Sequence, residues 1–267
     1  MKARDAMHLN EVTPMALDIR LMNMTSFLLL FVLAVMLLAA LCWWAVRHPV
    51  FALSALSVQG DVHHNNAVTL RANVVPRLQG GFFTVDLLQA KAAFENVPWV
   101  RKAMVRREFP NRLSVELEEH QPVAYWGNES ESRLLNQQGE VFSANFGELD
   151  DENLPHLSGP DSESAQVLHM YEVLKPELRK VQLHIKGLEL TARGSWRAEL
   201  KSGAHLELGR GSSDEVMARV ERMTRTLAQV AQRFGRQTQA LEAADLRHVN
   251  GYALRLRGVS TLTSTTR

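Results

Sequence analysis

Polar and apolar positions divide this chain sharply near its start. From 26 to 46 it reads SFLLLFVLAVMLLAALCWWAV, without charge, proline or glycine. At about 1.5 Å of rise per residue such a helix spans about 30 Å, the hydrocarbon core of a bilayer. Twelve of its residues are Leu, Phe or Val. At about −0.3 to −0.6 kcal/mol each they favour insertion by roughly 4–7 kcal/mol in all. Trp43 and Trp44 end the run, where amphipathic rings favour the membrane interface. A cleaved signal peptide is the rival reading, but its apolar core would be about 7–15 residues and would end in small residues. Only Ala52-Leu53-Ser54 resembles a cleavage site. The pattern therefore predicts an uncleaved transmembrane helix over 26–46. Residues 1–25 show no periodicity and read as a cytoplasmic tail. Lys2, Arg4 and Arg20 precede the run and only Arg47 follows closely, which favours a cytoplasmic N-terminus.

Beyond the anchor the period alternates between that of strands and that of helices. Residues 53–58 read as a strand, 66–75 as a weak helix stopped by Pro76, and Gly80-Gly81 as a loop. Across 85–96, Leu87, Ala90, Phe94 and Val97 recur at helical spacing. Asp86 suits the positive end of that helix's dipole. Strands follow at 100–107 and 113–119, joined by a turn at 109–112. In the second, Leu113, Val115 and Leu117 alternate with Ser114, Glu116 and Glu118. The order is β-α-α-β-β, a small α+β unit at about 51–120.

From 121 to 258 strands dominate. They are expected at 123–126, 133–136, 141–142, 181–190, 196–200, 205–208, 244–249 and 252–257. Two helices interrupt them. The first, 163–175, presents Val167, Met170, Tyr171 and Leu174 on one face. The second, 214–234, presents Val216, Val220, Met223, Leu227, Val230 and Phe234, with Ser213 or Asp214 as its cap. Lys201-Ser202-Gly203 and Asn250-Gly251 signal hairpins, the latter a type I′ turn. The polar end, 259–267, reads as a flexible C-terminal tail. The class is α+β throughout.

Composition narrows the function by exclusion. Thirty basic against 29 acidic residues leave a net charge of +1 and no basic stripe for nucleic acid. The one cysteine, Cys42, lies inside the apolar run, so the outer part has neither thiol nor disulfide. His63-His64 lack any zinc-site spacing and read as exposed loop. Asp150-Asp151-Glu152 lacks the spacing of a calcium loop and reads as a solvated acidic stretch. Gly209-Arg210-Gly211 lacks the lysine of a phosphate cradle and reads as a strand-to-helix turn. No nucleophile elbow occurs. An enzyme is not expected, nor a cofactor, a metal or a small-molecule substrate. What remains is an anchored module with sheet edges, able to accept a strand from a partner. The C-terminal hairpin, 244–257, is the candidate edge, with Tyr252, Leu254 and Arg255 along it. The alternative is an ordinary edge protected by Arg255 and Arg257.

A serial set of motifs adds a resemblance. Gly81-Phe82-Phe83-Thr84-Val85-Asp86, Val97-Pro98-Trp99-Val100-Arg101-Lys102-Ala103 and Val105-Arg106-Arg107-Glu108-Phe109-Pro110-Asn111-Arg112-Leu113 occur in order. Glu119-His120-Gln121-Pro122-Val123-Ala124-Tyr125-Trp126, Leu208-Gly209-Arg210 and Asp245-Leu246-Arg247 follow them. Together they resemble the bacterial FtsQ/DivIB cell-division family in its Gram-negative proteobacterial form, over residues from about 20 to 258. The resemblance implies a single-pass type II protein of the inner membrane at the division septum, with a POTRA domain at 51–120 and a β domain at 121–258. It implies a non-enzymatic divisome scaffold that binds FtsB and FtsL and links early division proteins to septal peptidoglycan synthesis. It further implies that FtsB engages Asp245, Leu246, Arg247, His248, Asn250, Gly251, Tyr252 and Leu254, with a basic contribution near Arg193 or Arg197. The chain departs from the family pattern at His248, where an aromatic often stands, and at Leu256, where a tryptophan is expected. Phe82, Phe83 and Trp99 are expected in the core. Two other readings remain: a POTRA-type periplasmic assembly chaperone and a membrane-anchored periplasmic hydrolase.

Overall fold

The computed structural model describes residues 17–46, 48–60, 63–64, 80–127, 133–149, 153–248 and 250–259, with single positions 70, 72, 74, 76 and 78. The acidic stretch 150–152, residues 260–267 of the C-terminal tail and residues 1–16 lie outside them. The apolar run is one helix, α1 (Leu17–Val46). It begins nine residues before the predicted span, so 17–25 is helix rather than tail. That stretch holds no proline or glycine, and propagation costs little once the apolar turns have formed. Within it Leu21–Val46 is long and apolar enough to cross a membrane, with mean hydropathy 2.7. It is apolar on every side and none of its most apolar window is buried among the described residues, as for a lone lipid-facing helix.

The next unit comprises β1 (Ala55–Gly60), α2 (Leu87–Glu95), β2 (Val100–Glu108) and β3 (Arg112–Glu119). The sheet order is β1-β3-β2, with β1 parallel and β2 antiparallel to β3. The Asp86 carboxylate caps α2, accepting from the Leu88 and Gln89 amides at 2.8 and 3.2 Å. Ala90, Ala93 and Phe94 bury the stripe against Val100, Ala103, Val115 and Leu117. The helix expected at 66–75 falls mostly outside the described residues; Leu70 and Val74 are helical there and fully buried. Phe82 and Trp99 are buried as expected, but Phe83 is 48% exposed.

His64 corrects another expectation. Its ring stacks on Trp99 at 4.0 Å, and its backbone N–H, with that of His63, donates to Glu119 Oε2 at 3.0 Å. The buried Glu119 carboxylate needs donors, and this segment supplies them.

The larger unit is one mixed sheet. Its strands are β4 (Pro122–Trp126), β5 (Arg133–Asn136), β6 (Val141–Ser143), β7 (His156–Ser158), β8 (Ile185–Leu190), β9 (Ser195–Leu200), β10 (His205–Arg210), β11 (Leu241–Asp245) and β12 (Ala253–Leu256). Their order is β12-β11-β10-β9-β8-β7-β4-β5-β6. Helices α3 (Ser164–Arg179) and α4 (Ser213–Arg233) pack on it and on each other. Val216, Val220, Met223 and Leu227 of α4 are fully buried, each stabilising by about 1.5–3 kcal/mol.

Several boundaries differ from the sequence pattern. α3 runs through Pro176, because Leu174 and Leu178 are fully buried and Glu177 accepts from Thr224 Oγ1 on α4 at 2.7 Å. Val181 and Gln182 then form a turn, with Gln182 at φ 60°, so the strand begins only at Ile185. The cap of α4 is Ser212, which forms a reciprocal capping box with Glu215. The buried seam of α4 ends on Ala231, and Phe234 is half exposed. Asn250-Gly251 does not close a two-residue hairpin: β11 pairs with β12 from Asp245↔Ala253, leaving 246–252 as a longer loop.

The two units meet around Trp99, whose ring touches Phe142 at 5.5 Å, while His120 stacks on Phe142 at 4.1 Å. Arg101 bridges Glu118 at 2.6 Å and Glu140 at 2.7 Å. That guanidinium, helped by the Asn136 amide, holds the Glu140 carboxyl below its usual range. Burial lowers the pKa of His120 beside them.

Candidate functional site

Two features adjoin at the far end of the large sheet. One is an edge. Among the described residues β12 has β11 on one side and no strand on the other, so its outward N–H and C=O groups have no ladder partner there. Leu256 anchors β12 in the core and Leu254 half buries beside it, while Ala253 and Arg255 face solvent. Arg255 pairs with Glu242 of β11 at 3.2 Å. Tyr252, just before the strand, packs on the core and shares a hydrogen bond with Thr226 of α4.

The other is an open groove of about 980 Å³ along the start of β9, the end of β10, the first turns of α4 and the start of the 246–252 loop. Arg193, Arg197, Arg210, Arg219, Arg222 and Arg247 line it, against three glutamates, Glu189, Glu207 and Glu215. The sign is therefore positive, though the whole chain is nearly neutral.

Each arginine is held differently. Arg247 folds back on Asp245, donating from Nε at 2.9 Å and Nη2 at 2.6 Å, while its backbone N–H donates to the same carboxylate at 3.0 Å. This Arg247 guanidinium pulls the Asp245 pKa down to about 2. The pairing also ends β11, because the carboxylate takes the amide that the ladder would have used. Arg197 spans Glu207 at 3.1 Å and Glu189 at 3.9 Å. Arg219 of α4 donates to the backbone carbonyls of Leu208 and Arg210, stitching the helix to the end of β10. Arg193 and Arg210 are exposed and form no ion pair among the described residues.

Gly209 makes this crossing possible. It sits at φ 83° in a bulge between β9 and β10. A Cβ there would lie 2.6 Å from Arg219 Nη1 and 3.0 Å from Arg247 Cγ.

The structure thus gathers Arg193, Arg197, Arg247 and His248 around the groove, with Asp245 as the support of Arg247. Asn250 and Gly251 lie in the loop that leads from the groove to the edge. Leu246 is apart from both: its side chain is buried in the core and its amide donates to Glu207 O at 2.8 Å. Sequence reasoning missed Arg210, Arg219 and Arg222. The signal was there in the spacing of Glu215, Arg219 and Arg222, which places them on one face of a helix.

Comparison with known proteins agrees with this architecture. Residues 124–247 match the family described as cell division protein FtsQ/DivIB, C-terminal. Residues 51–120 match the POTRA domain of FtsQ type. The chain is 41% identical over 249 residues to the cell division protein FtsQ of Burkholderia pseudomallei, covering 93% of this chain and 97% of that one. It is 38% identical to the FtsQ of Thiomonas arsenitoxydans, over 91% of this chain and 89% of the relative. For the FtsQ of Bordetella pertussis the identity is 37%, over 90% and 92%.

Proposed function

As the chain belongs to the FtsQ/DivIB family of cell division proteins, non-enzymatic components of the divisome, we propose that it is an inner-membrane scaffold for FtsB and FtsL. On this reading residues 1–25 face the cytoplasm, 26–46 cross the membrane, and the POTRA domain (51–120) and β domain (121–258) stand in the periplasm at the septum. There they link early division proteins to septal peptidoglycan synthesis. The observation that carries the proposal is the adjacency of an edge strand to an arginine-lined groove. A partner segment that adds beside β12 gains main-chain hydrogen bonds, and acidic side chains at its end meet the groove. Arg247, Arg193 and Arg197 then read charge, His248, Asn250 and Gly251 shape the path, and Tyr252 and Leu254 supply apolar area. Anchoring in one plane raises the effective concentration of such partners.

The test is binding of the periplasmic part of FtsB to the full-length protein in detergent. Hydrogen exchange at the β12 amides should slow on binding. Arg247→Glu should weaken binding at least tenfold while leaving the fold intact by circular dichroism. Unchanged affinity in that variant, or unprotected β12 amides in the complex, refutes the proposal.

A further inference from the structure

Three loops of the POTRA unit converge at the end where the chain leaves α1. The first, Pro49–Phe51, is a single helical turn. The second, 81–84, returns to it: the Phe82 N–H donates to Phe51 O at 2.8 Å, and the Phe83 ring packs edge-on against Phe51 at 5.0 Å. The third is the β2–β3 turn. Asn111 Nδ2 donates to Val50 O at 3.4 Å, Ser54 N to Asn111 O at 3.0 Å, and Phe109 lies 6.2 Å from Phe82. Hydrogen bonds thus fix all three tips to one another. Yet each tip turns an apolar side chain outward: Val50 is 56% exposed, Phe83 48% and Phe109 75%. Scattered apolar residues on a surface need no account, but three on interlocked loops at one end form a patch.

The chain itself says what covers it. Only four residues separate Val46, the end of α1, from Phe51, five Cα–Cα steps and a reach of at most about 17 Å. The link is shorter than that, because His48 N donates to Ala45 O and Phe51 N to His48 O, and the His48 ring rests on Trp44 at 5.0 Å. No slack remains to carry the patch away from the bilayer. Charge agrees: Arg47 precedes this end in sequence and the exposed Arg112 follows the Phe109 turn, both suited to anionic headgroups.

We propose that Val50, Phe83 and Phe109 seat the POTRA unit in the surface of the same bilayer that α1 crosses. The inference rests on α1 being a membrane anchor. Three loop tips and one helix then define a plane of attachment, which fixes the tilt of the POTRA sheet and the direction in which the β domain is held out.

The test uses the full chain with Cys42→Ala, which removes the only cysteine. A fluorophore is placed at Glu108→Cys beside the patch, or at Arg225→Cys on the exposed face of α4. Each protein is reconstituted into phosphatidylethanolamine–phosphatidylglycerol vesicles with or without brominated acyl chains. Seating about 5–10 Å into the interface predicts at least about twofold quenching at position 108 and none at 225. Adding Val50→Ser, Phe83→Ser and Phe109→Ser should abolish the quenching while the protein still floats with the vesicles. Flotation without quenching at 108 overturns the inference and leaves the anchor standing. Failure to float overturns both, and equal quenching at 108 and 225 overturns the specific role of the patch.

Discussion

Replacing Gly209 by alanine tests whether the arginine groove depends on side chains crossing one bare backbone position. Two costs add there. Alanine at φ 83° loses about 1–2 kcal/mol from backbone strain alone. Its Cβ would also lie 2.6 Å from Arg219 Nη1, so Arg219 must leave the Leu208 and Arg210 carbonyls. Net values for charge-assisted hydrogen bonds are about 1.5–3 kcal/mol each, and water recovers part of that at this open site. The sum is about 3–4 kcal/mol. Gly203→Ala supplies the control, since Gly203 has φ 82° but nothing within 4 Å of a Cβ. It should cost only the strain, about 1–2 kcal/mol. Urea unfolding of the full chain in detergent can follow Trp126 and Trp196, both buried in the large sheet's core. If Gly209→Ala costs no more than Gly203→Ala, the crossing contributes nothing and the reasoning fails. Arg219→Ala should make Gly209→Ala cheaper, because the clash and the stitch disappear together.

The remaining predictions concern the same groove and the domain junction. Asp245 is held at a pKa of about 2 against an ordinary 3.8, so its contribution is complete above about pH 4 and fades as pH falls toward 2. Allowing for solvent screening, Asp245→Asn should lose about 1 kcal/mol at neutral pH, and its stability should converge with that of the parent chain in acid-titrated unfolding. A gap that widens on acidification would contradict the pairing with Arg247. At the junction, Arg101→Ala removes a side chain that binds carboxylates of both units. It should broaden the distance between spin labels placed on the POTRA sheet and on α4; an unchanged distribution would show that the ring stack suffices.

Helices and alternating strands were largely legible because their signals are local. The α4 seam from Val216 to Leu227 appears in the sequence as it does in the core. The misreadings share a cause in contacts between distant residues. The sequence pattern ends the helix at 175, yet the packing of Leu178 and the Thr224 hydrogen bond to Glu177 carry α3 through Pro176 and beyond. Asn250-Gly251 reads as a hairpin turn, yet Asp245 ends β11 five residues earlier by capturing the Arg247 amide. His63-His64 reads as a surface loop because the buried carboxylate that draws it in, Glu119, lies more than fifty residues away. The groove was half legible. Asp245, Arg247, Arg193 and Arg197 come from the family resemblance, whereas Arg210, Arg219 and Arg222 join them because β10 bulges and α4 starts beneath it.

The two ends of the nine-stranded sheet are unequal. β6 is three residues long, and its Phe142 is clamped by Trp99 and His120 from the neighbouring unit. β12 alone is open. A sheet with two open ends can propagate from copy to copy without limit, as fibrils do. If a partner strand adds beside β12, as proposed, a sheet clamped at its other end would accept one strand and then terminate. On the proposed reading, crowding many copies would multiply sockets without seeding a polymer, and the number of strands docked would follow the number of copies present.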